Sequence, residues 1–255
     1  MSNLTRLARR PLLLMVLCFS GVTVTHATPV VGNFGATGGA LSLTGTPINP
    51  SIDFFTLPGF VPSPGTTGNF LVGPATTGSF GGRLGEMAII KDLATTLAGP
   101  LPITNFIVLP NAPGIVFHLT SLDPGVFSPG NCASAPAAGQ GCTLPGSAFS
   151  FLNTSANTST ASFNVRGTAN FSATPGDISN FSGVFTMQFS DMSYQALFAA
   201  LASGATVATT FSASFTVTPQ QTLQATPEPS TLLLLGTGLV VTTATARRRH
   251  NRRRE

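Results

Sequence analysis

The clearest patterning lies between residues 147 and 218. In "SFNVRGTANFS", Phe163, Val165, Ala169 and Phe171 alternate with Asn164, Arg166, Thr168 and Asn170. In "FSGVFTMQF", Phe181, Phe185, Met187 and Phe189 alternate with mostly polar residues. In "TTFSASFTVT", Phe211, Ala213, Phe215 and Val217 alternate with Thr210, Ser212, Ser214 and Thr216. A period of two with one oily and one wet face predicts antiparallel strands that cover a core on one side and meet water on the other. Their register is strongly specified, because a slip of one residue turns every Phe outward. The Pro-Gly-Asp of "ATPGDISN" predicts the turn between the first two strands.

One helix interrupts this pattern. "SYQALFAALASG" sets Tyr194, Leu197, Phe198 and Leu201 at i, i+3, i+4 and i+7, with Ser193 placed to cap the start and Gly204 to end it. It is expected to cover an open end or edge of the sheet. Upstream, "MAIIKDL", "ITNFIVL" and "GIVFHLT" are short β-branched or aromatic runs bounded by Pro110, Pro113 and Pro124, and read as strands. Residues 28–85 are looser, with apolar pairs between Gly, Pro and Thr turns. "TTGNF" at 66–70 and "TTGSF" at 76–80 recur at a spacing of ten, read as chance in a Gly/Thr-rich region. The expected fold is mainly all-β: an antiparallel β-sandwich-like core over 86–218 with one short amphipathic helix, residues 28–85 belonging to the same body.

The two ends have a different character. The chain starts with Arg6, Arg9 and Arg10, continues with an apolar stretch from Pro11 to Val24, and closes this opening on the small residues before Thr28. That order reads as a secretory signal peptide over 1–27, forming a signal helix and cut between Ala27 and Thr28. Its apolar core of about 14 residues is shorter than the roughly 20 a membrane span needs. At the other end, a linker over 219–226 leads to Pro227-Glu228-Pro229-Ser230. An uncharged run from Thr231 to Ala246 follows, then Arg247, Arg248, Arg249, Arg252, Arg253 and Arg254. As a helix that run is roughly 24 Å long, against a hydrocarbon core of about 30 Å. Arginines beside an apolar segment stay on the cytoplasmic side of a membrane. A nucleic-acid patch fits poorly behind a membrane-length segment on an exported chain.

The ending over 227–255, with its Pro-Glu-Pro, short apolar helix and terminal arginines, resembles the PEP-CTERM sorting signal of exported bacterial proteins. Such a tail also carries the label of an ice-binding-protein C-terminal motif, which does not establish ice binding. The resemblance covers about the last 30 residues together with the expected signal peptide. It implies passage through the Sec export machinery and membrane tethering through the C-terminal segment. It implies recognition by the membrane protease exosortase, with cutting near Pro227-Glu228-Pro229, and a final place on the envelope surface or outside the cell. It also implies association with exopolysaccharide and with glycosylation.

Removing the ends changes the charge. Nine of the 12 Lys and Arg residues lie in them, so the net +4 describes the targeting segments. Between Thr28 and Ala225, Arg83, Lys91 and Arg166 face Asp53, Glu86, Asp92, Asp123, Asp177 and Asp191, a balance of −3. A nucleic-acid partner is therefore not expected. Cys18 leaves with the signal peptide. Cys132 and Cys142 flank a Gly/Pro/Ala loop and, in an oxidising compartment, are expected to form a disulfide of about 3 kcal/mol in the chain-entropy view. A metal reading of the pair lacks further ligands.

Candidate chemistry is sparse. The exported body has one histidine, His118, whose alternation with Ile115, Phe117 and Leu119 turns it away from their face. No Gly-x-Ser-x-Gly elbow, phosphate loop, zinc pattern or calcium ladder is present. The acids are scattered singly, with Asp123 and Asp177 in Pro/Gly turns. Trp is absent, and Tyr194 is assigned to the helix interior. Neither catalysis, cofactor nor metal is expected; an enzyme would have to use an unfamiliar set such as His118, Asp53 and Asp191. Asn153, Asn157, Asn170 and Asn180 stand in Asn-x-Ser/Thr triplets and are the candidate glycan acceptors. The expected role is a non-enzymatic exported surface or matrix protein. The alternative is a polysaccharide- or ice-binding module, for which Thr210, Ser212, Ser214, Thr216 and Thr218 supply a single polar row.

Overall fold

Each long alternation of apolar and polar residues forms a strand. The computed structural model describes residues 28–57, 67–94, 101–111 and 113–220. The expected signal helix, the expected C-terminal membrane helix and most of the linker lie outside these. The strands are β1 (Gly32–Gly45), β2 (Pro50–Phe54), β3 (Thr67–Val72), β4 (Met87–Lys91), β5 (Leu93–Ala94), β6 (Ile103–Leu109), β7 (Ile115–Leu122), β8 (Gly141–Cys142), β9 (Ser150–Asn153), β10 (Ser159–Phe171), β11 (Thr174–Phe189) and β12 (Val207–Pro219). The helix α1 (Tyr194–Ala202) lies between β11 and β12.

The architecture corrects the sandwich expectation. Strands β10, β11, β12, β1, β3, β4, β6 and β7 are hydrogen-bonded in that order, and β7 pairs back onto β10. The sheet closes into an antiparallel barrel of eight strands. A period of two is common to sandwich and barrel, so alternation alone does not choose between them. Irregularities bend the sheet. Register shifts fall between Ala36 and Gly39 in β1, between Ile103 and Ile107 in β6, and between Arg166 and Gly167 in β10. Gly167 points inward at its shift, where a Cβ would lie 1.9 Å from the His118 carbonyl oxygen. Gly183 likewise leaves room for the Phe215 ring against β11.

At one end the ring opens. Strand β1 exchanges β3 for β2 from Leu41 onward, and β10 pairs with β9 over Ser159–Ser162 and with β7 from Val165. Helix α1 lies across this end against β1, β9, β10 and β12. Tyr194, Leu197 and Leu201 are buried as their spacing requires. Ser193 Oγ accepts from the Ala196 N–H at 3.3 Å, and Gly204 takes the left-handed φ of 81° that ends the helix.

The interior is filled by phenylalanine. Phe34 stacks on Phe215 with centroids 4.6 Å apart, Phe163 on Phe185 at 4.8 Å, and Phe117 meets Phe181 edge to face at 5.2 Å. Such pairs contribute about 0.5–1.5 kcal/mol beyond the area they bury. The outward face is wet: Thr210, Ser212, Ser214, Thr216 and Thr218 are all exposed. A membrane barrel has the reverse arrangement, with an apolar outer band. Among the described residues no helix is long and apolar enough to cross a membrane.

One local expectation changes. Phe171 pairs with Thr174, so the β10–β11 turn is Ser172-Ala173 and Pro175-Gly176-Asp177 belongs to β11. Proline is tolerated there because β12 pairs with β11 only from Ser179 onward. The two pentapeptide copies diverge, as chance similarity allows: the first enters β3 and the second a 3-10 turn, Gly78–Phe80. After that turn a nearly buried ion pair fixes the rim. Arg83 Nη1 lies 2.9 Å from Glu86 Oε2, and Arg83 also donates to the Pro113 carbonyl at 2.7 Å. Together they tie the β6–β7 turn to the start of β4.

Candidate functional surface

Strands β10, β11 and β12 are neighbours in both sequence and ring, so their outward residues stand in rows. Thr168, Asn180 and Thr218 form one row; Arg166, Ser182 and Thr216 the next; then Asn164, Val184 and Ser214. Ser162, Thr186 and Ser212, and finally Thr160, Gln188 and Thr210, complete the field. Same-face residues repeat about every 6.8 Å along a strand, and strands lie about 4.8 Å apart. Apart from Val184 and Arg166, the field is a lattice of hydroxyls and amides that both donate and accept hydrogen bonds. Its one cation, Arg166, donates through Nε to both Asp123 oxygens, at 2.8 and 2.9 Å. That bond and the carboxylate charge push the guanidinium pKa above its ordinary value. The row along β12 was legible in the sequence. Setting the outward residues of β10 and β11 beside it needed the pairing of β10 with β11 and β11 with β12.

Beside this field, where the chain leaves β11 for α1 and returns to β12, is a cleft of about 320 Å³. Gln188, Ser190, Met192, Val207, Thr209 and Thr210 line it with Phe189 and Ala208, and none of these is charged. Within this lining Thr209 Oγ1 donates to the Gln188 carbonyl.

The disulfide between Cys132 and Cys142 is formed, with Cα atoms 5.1 Å apart. Its loop meets the start of α1 through polar groups. Tyr194 Oη donates to the Asn131 carbonyl at 2.8 Å, and Gln195 Nε2 to the Ser134 carbonyl at 3.0 Å. Asn153 connects the two sides: its Nδ2 donates to Gln195 Oε1 and its Oδ1 accepts from the Tyr194 N–H, both at 2.9 Å.

These bonds revise the glycan acceptors. Asn153 is fully buried and Asn170 is 8% exposed, its Nδ2 donating to the Phe171 carbonyl. A glycan on either Nδ2 would need the space and the hydrogen bonds of the folded core. Asn157, in the β9–β10 turn, and Asn180, on the outer field, are exposed. Sequence triplets carry no burial information, which is why all four looked equivalent.

His118 is half-buried on the outer side of β7, as its alternation requires. Its Nδ1 accepts from the Asn105 N–H at 3.2 Å, at the point where Asn105 takes a φ of 53° in the β6 irregularity. Asp53 and Asp191 are exposed. Among the described residues no group of three His, Cys, Asp or Glu side chains is placed to hold a metal ion. Asp92 accepts from the Phe54 N–H at 2.8 Å, while burial, opposed by that bond and helped by Asp53, raises its pKa.

Tyr194 is the one tyrosine in the chain, so its ionisation can be followed directly. Burial pushes its phenol pKa above the ordinary 10. In the unfolded chain the phenol ionises near that ordinary value, while in the fold it stays protonated. The native state then binds more protons, so stability is intact below pH 10 and falls as pH rises from there through the folded pKa. The phenolate absorbance of native protein is expected to rise at higher pH than that of protein in urea. Coincident curves would contradict the burial of Tyr194. Tyr194→Phe should remove this part of the alkaline slope.

Thr28, at the expected cleavage point, is exposed at the start of the described chain. Ala27, Pro227, Glu228, Pro229, Ser230, Arg247, Arg248 and Arg249 lie outside the described residues. Residues 225–249 match the family model of the PEP-CTERM protein-sorting motif. No curated protein and no solved structure matches the chain. The match spans the Pro-Glu-Pro, the apolar run and the first arginines, so the chain carries a PEP-CTERM sorting motif at this end, which indicates export and targeting to exosortase.

Proposed function

We propose that the protein is a non-enzymatic component of the cell surface or extracellular matrix, exported through Sec and cut by exosortase near Pro227-Glu228-Pro229. The observation that carries this reading is the outer field of β10, β11 and β12. It is wide, hydroxyl- and amide-rich and close to neutral, and it backs onto an interior filled by Phe rings. A surface of that kind supports hydration and many weak contacts with a hydrated exopolysaccharide matrix. Intact mass of the protein from its native host tests the processing. A chain from Thr28 to near Pro229 is expected, with any hexose increments removed by Asn157→Gln or Asn180→Gln. A chain that keeps Arg247 through Glu255 would overturn release and leave a membrane-tethered domain.

A binding module is the second reading, favoured by the in-register rows Ser182–Thr216 and Thr186–Ser212. It predicts retention on a neutral polysaccharide column, or inhibition of ice recrystallisation, lost on Ser214→Lys with Thr216→Lys. The structural reading predicts no inhibition of ice recrystallisation and no polysaccharide retention that depends on these two residues.

A further inference from the structure

The ring strands β10, β11, β12, β1, β3, β4, β6 and β7 complete their hydrogen bonds without any residue between Pro124 and Ser150. The Cys132–Cys142 bond therefore closes a loop that adds no ladder bond to the ring, although Cys142 itself is fully buried. Strand β8, which carries Cys142, pairs only with the short β9. The loop's carbonyls nonetheless hold the cap: Asn131 and Ser134 receive Tyr194 and Gln195 at the first turn of α1. Gln140 completes the junction. Its backbone carbonyl accepts from the Asn153 N–H at 2.9 Å, and its Oε1 from Gln195 Nε2 at 3.3 Å. Nine residues make too short a helix to persist in water alone. Its position depends on these bonds and on the apolar face it covers, where Phe198 meets Phe151 edge to face at 4.8 Å.

We propose that the Cys132–Cys142 disulfide is a redox latch on the helical cap, not a staple of the barrel. Formed in the oxidising compartment to which the chain is exported, it holds the loop in the one shape that presents the Asn131 and Ser134 carbonyls to α1. When a dithiol reductant donates two electrons and two protons, the bond becomes two thiols and the reductant becomes a disulfide. The freed loop regains its chain entropy, and loop and helix open together on the order of 100-fold more often. The opened end uncovers Phe151, while the closed ring keeps its strands. The latch rests on the export reading only for where the bond forms; its action on α1 is a property of the purified protein.

Hydrogen exchange read by mass spectrometry on the full-length protein, oxidised and then reduced with dithiothreitol, tests this. The expected result is faster exchange, on the order of 100-fold, confined to residues 129–142 and 193–204. Strands β10, β11 and β12 should keep their protection. If the bond resists the reductant, Cys132→Ser combined with Cys142→Ser supplies the open form. Unchanged protection in α1 would overturn the latch. Loss of protection throughout the ring strands would overturn it equally, by showing that the bond holds the whole fold.

Discussion

Replacing Phe185 by Ala is expected to remove about 3–5 kcal/mol of stability. Phe185 is fully buried and central to the aromatic core. Its ring stacks on Phe163 at 4.8 Å, stands edge-on to Phe215 at 5.4 Å, and lies 5.8 Å from Phe211 and 6.0 Å from Phe54. These partners come from β10, β12 and β2, while Phe185 is on β11, so one truncation opens a void that several strands line. The strands cannot collapse into it without moving a ladder, so the transfer loss and the cavity loss add. A domain of this size typically has about 5–15 kcal/mol in total, which makes this a large fraction. Urea unfolding should show a lower midpoint with an unchanged slope. Phe185→Leu, which keeps most of the volume, should cost far less. A loss under about 1 kcal/mol for the alanine would contradict the packing described.

Gly167→Ala is expected to be at least as damaging, for the opposite reason. The added methyl would sit 1.9 Å from the His118 carbonyl oxygen and 2.5 Å from the Phe181 ring. Side chains can turn aside, but a backbone carbonyl in a ladder cannot. Gly167 pairs with Leu119 where the β7–β10 register shifts, so relief means parting the two strands that close the ring. Overpacking of ordinary core sites costs about 1–3 kcal/mol, and a backbone clash at the closure should exceed that range. The expected result is protein that fails to fold or melts far below the parent in a thermal scan. Gly176→Ala, where a Cβ meets nothing within 4 Å, is the matched control and should be nearly silent.

The contrast between these sites shows what sequence patterning can carry. Strands β10, β11 and β12 and helix α1 were legible because burial there follows a strict period of 2 or 3.6, with Ser193 and Gly204 marking the helix ends. Ring closure was not legible, because it depends on β7 returning to β10, a pairing between residues such as Phe117 and Ala169 that no local pattern encodes. The first 60 residues of the body looked loose because β1 changes partners midway and carries Gly35, Gly38 and Gly39, which break the alternation. Of the candidate site, the β12 row, the disulfide and the sorting tail could be read directly. The burial of Asn153 and Asn170 could not, because their triplets look the same whether the amide meets water or Gln195.

One feature of the ring bears on the timing of folding. The first strand, β1, has its longest ladder with the last, β12, from Gly32 opposite Val217 to Leu43 opposite Val207. A chain emerging N-terminus first offers β1 early and β12 last, so the seam between them waits for nearly the whole domain. Contacts so distant in sequence form late and slowly. Until the residues up to Pro219 are available the barrel lacks its closing strand. The closing strand ends only eight positions before Pro227, where the Pro-Glu-Pro begins, so any cut into β12 from the side of the sorting motif would reopen the ring.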